Sequence, residues 1–300
     1  MACNKQKNVV PPQPRAGKDI TPDHDNLIGP DDTSVGTPSQ LAVFTRHTLG
    51  GDNMDSATDE VRALNVAVGE LYKVFARCYP LRSHIEGCPH CVGSDDDIAL
   101  HSKPLRQLTA QELGRYAFKA MTTWGDDHDF RHFLPRLLEL LAFDSQLAIN
   151  PEILLGKLHY ANWHSWPNVE QRSIEAYLKA TWRVVLASYP SIPPYWDTDT
   201  GLCSIAQAID DLGADLDYWR QDRSTAACHH LADFVNSNSP HVLKRRRLDN
   251  PFWHDRRLQE EQVVDWLLEP LTVQALEQAF FDHASGPFAQ ELSWAVDNLT

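Results

Sequence analysis

Leu108-Thr109-Ala110-Gln111-Glu112-Leu113 is the stretch on which the fold turns. Thr109 is a helix-capping residue type, and Glu112 stands three positions on, where its carboxylate can reach back to the cap. Leu108 and Leu113 bracket the pair as a hydrophobic staple. Apolar residues then recur at Leu113, Tyr116, Ala117, Ala120, Met121 and Trp124, one face of a 3.6-residue period. The spacing predicts a helix that starts just after Thr109.

The same periodicity extends in both directions. Asn150-Pro151 offers a cap and a first-turn proline for Ile153 to Leu158. After Pro167, Ile174, Tyr177, Leu178, Thr181, Val185 and Tyr189 form one stripe, closed by Pro190, Pro193 and Pro194. Ile205, Ile209, Leu212, Leu216 and Trp219 read as a further stripe. Shorter ones follow through Leu231 to Val235, Val263 to Leu267, Leu276 to Phe280 and Phe288 to Leu299. No segment alternates apolar and polar residues as a half-buried strand does. The expectation is all-α: an irregular helical bundle or a short stack of helical hairpins. Phe133-Leu134-Pro135-Arg136-Leu137-Leu138-Glu139-Leu140-Leu141 resembles a helix of HEAT-type repeats, which implies a solenoid, although no sustained period accompanies it. Residues 1–57, rich in turn-formers, read as a disordered leader, and residues 58–300 as one helical domain with a loop at 81–103.

Composition narrows the function. An apolar share of 42% and a charged share of 23% suit a globular chain. Nine tryptophans imply a large aromatic core. A net charge of −14 opposes binding to phosphate backbones or anionic lipid. No apolar run has the length of a membrane span. Six cysteines are too sparse over this length for a disulfide framework, so a cytoplasmic protein with reduced thiols is expected.

One segment carries chemistry. Gly87-Cys88-Pro89-His90-Cys91 sets two thiols three positions apart around a proline, in a turn bounded by Gly87 and Gly93. Such a knuckle can point both sulfurs at one soft cation, and tetrahedral zinc takes four ligands, usually thiolates and imidazoles. His84 and His101 would complete a His-x3-Cys-x2-Cys-x9-His set, with Asp95, Asp96 and Asp97 as harder and poorer donors. The expected metal ligands are Cys88, Cys91, His84 and His101. The residues also suit a plain turn with two unligated thiols, one packed as a small hydrophobe.

Cys88-Pro89-His90-Cys91 resembles the active-site tetrapeptide of DsbA-type thiol oxidants, a likeness that implies Cys88 as nucleophile and Cys91 as resolving thiol. Four residues carry it. The flanks differ from that family: Pro80 to Gly87 is not an apolar strand, and Val92 to Asp97 is a poor helix opening whose acids would raise a thiol pKa. Residues 70–143 resemble uncharacterised bacterial all-helical proteins. They share the Glu86-Gly87-Cys88-Pro89-x-Cys91 turn, the helix around Arg115 to Ala120 and the Phe133 to Leu138 run. That resemblance implies no activity.

Asp126-Asp127-His128-Asp129-Phe130-Arg131-His132 gathers acids and imidazoles ahead of a helix. The His128-Asp129 pair resembles that of HD phosphohydrolases, which implies a catalytic metal shared with His101 and a later aspartate. Capping and the helix dipole explain the acids equally. His159, Trp163, His164 and Trp166 suit either core or a groove with aromatic anchors. Lys244 to Arg247 reads as a solvated turn or a bridge to Asp249 and Asp255. The function these readings favour is a non-enzymatic helical interaction or scaffold protein of the bacterial cytoplasm. It would carry a structural zinc that pins the 81–103 loop and would bind another protein, not nucleic acid or membrane. A metal-dependent phosphohydrolase and a thiol-disulfide oxidoreductase are the alternatives.

Overall fold

Thr109 and Glu112 make the reciprocal cap that their spacing predicts. The Glu112 N–H donates to Thr109 Oγ1, and Glu112 Oε2 accepts from the Thr109 N–H at 2.8 Å. Leu108 and Leu113 are both fully buried beside it. This detail comes from a computed structural model of the chain, which describes residues 51–191 and 196–300. The expected leader lies almost wholly outside the described residues. By contact the chain divides into Met1–His47 and Thr48–Thr300, and the description concerns the second unit.

The described residues form twelve α-helices and no strand. In order they are α1 (Gly51–Phe75), α2 (Ser94–His101), α3 (Ala110–Lys119), α4 (Asp127–Phe143), α5 (Pro151–Tyr160) and α6 (Asn168–Ala187). Then come α7 (Thr198–Ala208), α8 (Gly213–Gln221), α9 (Thr225–Arg245), α10 (Arg257–Leu268), α11 (Pro270–Asp282) and α12 (Ala289–Asp297). The all-α expectation holds. Short 3-10 turns at Leu105–Gln107, Trp163–Ser165 and Pro251–Asp255 link some of the helices.

Three boundaries differ from the sequence reading. The first helix starts at Gly51, inside the segment read as leader. The stripe from Ile205 to Trp219 is two helices, because Asp211 takes the Gly213 N–H and Gln262 takes the Leu212 N–H, turning the chain between α7 and α8. The 81–103 loop contains α2. Asp95, Asp96 and Asp97 lie in its first turn, where the helix dipole favours acids, and Asp96 accepts the Gly93 N–H at 2.9 Å.

α1 packs most extensively on α6, which lies far along the chain, and α5 packs on α7 across the intervening α6. A solenoid joins each hairpin mainly to its neighbours. The helices here interlock at long range, as in an irregular bundle. Eight of the nine tryptophans are buried, Trp294 being the exposed one. Trp182 meets Trp219 edge-on at 5.3 Å, and Trp219 stacks on Trp266 at 5.5 Å, tying α6, α8 and α10 into one core.

Arg131 fixes the start of the 81–103 region. Its guanidinium lies over the rings of Trp166 (4.1 Å) and Tyr79 (5.0 Å) and donates to Tyr79 Oη and the buried Glu170. Tyr79 Oη donates in turn to Glu170 at 2.7 Å. This places the chain leaving α1 against α4 and α6, with Cys88 some way beyond.

Candidate metal centre

The Cys88–Cys91 turn is built on the end of α3. Gly87 forms an antiparallel bridge with Trp124, the Cys88 N–H donates to Thr123 O at 2.8 Å, and the Gly125 N–H donates to Glu86 O at 2.7 Å. Gly125 has φ 70°, and a Cβ there would meet Asp129 and Ile85 at 3.0 to 3.1 Å, so the crossing of the two turns needs a glycine. Within the turn, the N–H groups of Cys91 and Val92 both donate to Cys88 O, at 2.8 and 2.9 Å.

This backbone course sets the Cys88 thiol beside the amides of the turn. The His90 N–H leads in holding the Cys88 thiol below the usual range, with Lys119 adding a smaller electrostatic pull. The nearby aspartates do not raise it as their sequence position suggests. They are turned to other tasks: Asp96 to Gly93 and Arg115, Asp97 to Ile85 and His84. Both thiols are half-buried, and no disulfide joins any cysteine among the described residues.

Two cations stand against the turn. Lys119 Nζ and Arg115 Nη2 both donate to Cys91 O, and Arg115 also pairs with Asp96. A shallow cleft of about 390 Å³ opens beside Cys91, walled by Pro89, His90, Asp95 and Arg115. Arg115 and Lys119 were not anticipated as part of the site. They stand 24 and 28 positions from Cys91, and nothing local in the sequence marks such a contact.

His84 and His101 do not join the cysteines. No three donor atoms from His84, Cys88, Cys91 and His101 lie within 4.8 Å of one another. His84 Nδ1 pairs with Asp97 at 2.9 Å. His101 has Nδ1 at 2.7 Å from Asp97 O and Nε2 at 2.8 Å from Arg82 O. Carbonyl oxygens only accept, so each contact favours a protonated ring nitrogen, whereas a ligand nitrogen must be bare. Burial pulls this imidazole down, yet the two carbonyls outweigh it and leave its pKa above the ordinary value. His101 serves as a cross-tie between α2 and the preceding segment.

Those ties also revise the expectation that a metal pins this loop. Ile85 is buried, His101 holds Arg82 O, Asp97 holds the Ile85 N–H, and Arg82 reaches Asp126 at 2.8 Å and Asp129 at 3.2 Å. The segment is anchored at each of these points by the protein itself.

Asp126, His128 and Asp129 are the one group of three metal-type donors within 4.8 Å among the described residues. Asp126 caps α4 by accepting the Asp129 N–H, and Asp129 Oδ2 accepts the Asp126 N–H at 3.1 Å. Burial lifts the Asp129 carboxyl. Burial acts on Asp126 too, but the Arg82 bond and its charge leave that group below its usual range. Capping and an arginine therefore use both carboxylates. His132 is turned away, its Nδ1 donating to Tyr79 O at 2.7 Å. His101, the upstream ligand that the HD resemblance implies, is held by its two carbonyls.

The other flagged clusters resolve as follows. Trp163 and Trp166 are buried, whereas His159 and His164 are exposed around a cleft of about 570 Å³ with Glu175, Asp210 and Asp211. Arg246 pairs with Asp265 and Arg247 with the fully buried Glu260, rather than with Asp249 or Asp255. Elsewhere, outside those clusters, His229 is sandwiched between Tyr189 (3.6 Å) and Phe288 (4.5 Å), and the buried His230 Nε2 donates to Ser188 O at 2.8 Å. No helix among the described residues is long and apolar enough to cross a membrane. No family model, curated protein or solved structure matches this chain.

Proposed function

We propose that this chain is a non-enzymatic helical interaction protein that holds a zinc ion at Cys88 and Cys91. One observation carries the reading. The N–H groups of Cys91 and Val92 close a turn on Cys88 O that presents the two partly accessible thiols, Cys88 and Cys91, together. Paired thiolates favour a soft, tetrahedral cation. Lys119 and Arg115, both on Cys91 O, add compensating charge. The reading suits a reducing compartment, the bacterial cytoplasm. Its partner is a protein, since a net charge of −14 works against nucleic acid and anionic membrane.

Thiol-disulfide exchange is less well supported. In such oxidants a helix N-terminus stabilises the attacking thiolate. Here α2 begins at Ser94, beyond Cys91, and Asp96 folds back over that helix end. Phosphoester hydrolysis would require Arg82 to vacate Asp126 and Asp129.

The test is metal content by mass spectrometry on protein purified without chelator, for wild type and Cys91→Ser. Zinc present in wild type and lost in the variant is expected. Zinc retained by Cys91→Ser would overturn the reading and direct attention to Asp126, His128 and Asp129.

A further inference from the structure

We infer that zinc at Cys88 and Cys91 joins two copies of this chain, each copy contributing both thiolates of one knuckle; the inference rests on the zinc reading above and names the partner at that same site. Tetrahedral zinc takes four ligands in a structural site. The knuckle supplies two sulfurs, and no third Cys, His, Asp or Glu donor among the described residues lies within 4.8 Å of both. Of the flanking imidazoles, His101 has both ring nitrogens engaged, on Asp97 O and Arg82 O, while His84 is held by Nδ1 to Asp97, away from both sulfurs. Two of the remaining thiols, Cys203 and Cys228, are buried in the core. The missing ligands therefore come from outside the described residues.

The second consideration is what the metal is for. A zinc that closes a floppy loop earns its place by folding it. This loop is already held by the Gly87 to Trp124 bridge, the Cys88 N–H on Thr123 O, the buried Ile85 and the Arg82 to Asp126 pair. A metal at the knuckle is free to serve association.

The surroundings fit a protein face. Pro89 and His90, the tip of the turn, are exposed, and both thiols are partly accessible behind them. The helices on either side each expose one large apolar side chain, Ile98 on α2 (64% exposed) and Phe118 on α3 (59% exposed). Phe118 is three residues from Arg115 and adjacent to Lys119, on the helix that touches Cys91 O. A second knuckle is the self-complementary way to complete the site, because a two-fold axis through the metal turns two thiolates into four. Four thiols lose their protons to solvent as one zinc binds. The resulting centre has a net charge of −2, which Arg115 and Lys119 of each copy are placed to offset.

The experiment uses the full chain, stripped with chelator under a reductant and then titrated with zinc. Mass by light scattering and zinc by mass spectrometry are read together. The expected result is a zinc-dependent rise from one-chain to two-chain mass, saturating at one zinc for every two chains and reversed by chelator. Cys91→Ser should stay at the stripped mass, and Phe118→Ser should raise the zinc concentration needed for pairing by about tenfold. Zinc bound at one per chain with no change in mass would overturn this inference and leave the knuckle as a zinc site. No zinc bound at all would overturn the zinc reading itself. Because the deciding stoichiometry is read on wild-type protein, a variant that misfolds does not blur it.

Discussion

Gly87 and Trp124 form an isolated antiparallel bridge, so the turn that presents Cys88 is registered on the turn that closes α3. The contact leaves no space for a side chain. A Cβ on Gly87 would come within 3.0 Å of Val92 Cγ2 and 3.4 Å of the Trp124 ring. Gly87→Ala is therefore expected to cost about 1–2 kcal/mol by overpacking, and to weaken the proposed zinc binding as Val92 and the Cys88–Cys91 turn shift. Chemical denaturation and a zinc titration measure the two effects. A variant as stable as wild type would show that the bridge yields easily.

Cys88→Ser is expected to change the stability of metal-free protein by less than about 1 kcal/mol, because the loop is anchored by Ile85, His101 and Arg82 and not by the thiol. Denaturant melts in the presence of chelator provide the check. A large loss would mean that the sulfur itself holds the turn.

Arg131 neutralises the buried Glu170 while lying over Tyr79 and Trp166. Arg131→Met keeps much of the packing but leaves Glu170 facing Tyr79 without a cation. The expected cost is about 3 kcal/mol or more, and Glu170→Gln added to Arg131→Met should recover part of it. A double-mutant cycle by urea unfolding reads both numbers. If the two changes simply add, the pair is not coupled.

Asp199 gives the chain a pH signature. Burial first, then the charge of Asp197, pushes its carboxyl up to about 6. Its Oδ1 is buried with no hydrogen-bond partner. An acid whose folded pKa exceeds its unfolded value of 3.8 binds more protons when folded, so stability falls as pH rises from about 4 to about 6 and stays reduced above that. Asp199→Asn should therefore stabilise the protein by on the order of 2 kcal/mol at pH 7.5 and have little effect at pH 4. Thermal melts of both proteins across that range settle it, and a benefit independent of pH would reject the ionised-carboxylate explanation.

What was legible in the sequence was mostly local. Thr109 with Glu112 and Asp126 with Asp129 act across three residues, within one turn of backbone, so their spacing alone implies their bonds. The Pro151 helix start and the breaks around Tyr189-Pro190 are equally local, since proline acts on its own and the adjacent residue. Apolar periodicity marked the helices and their buried faces, because a helix has one period wherever it sits. It did not mark α2, whose stripe is too weak to see and whose start depends on Asp96 reaching Gly93.

The cysteine pair was visible as a two-thiol turn because both sulfurs belong to four consecutive residues. What surrounds it was not. Whether His101 is a ligand or a cross-tie depends on where Asp97 O and Arg82 O lie, and whether Cys91 has cations beside it depends on how α3 packs. Sequence by itself determined the helical class, the caps and the two-thiol turn, all set by interactions over a few residues. Tertiary structure decided which donors converge, which histidines are already occupied and what anchors the loop, because those contacts bridge tens of residues and exist only once the helices have packed.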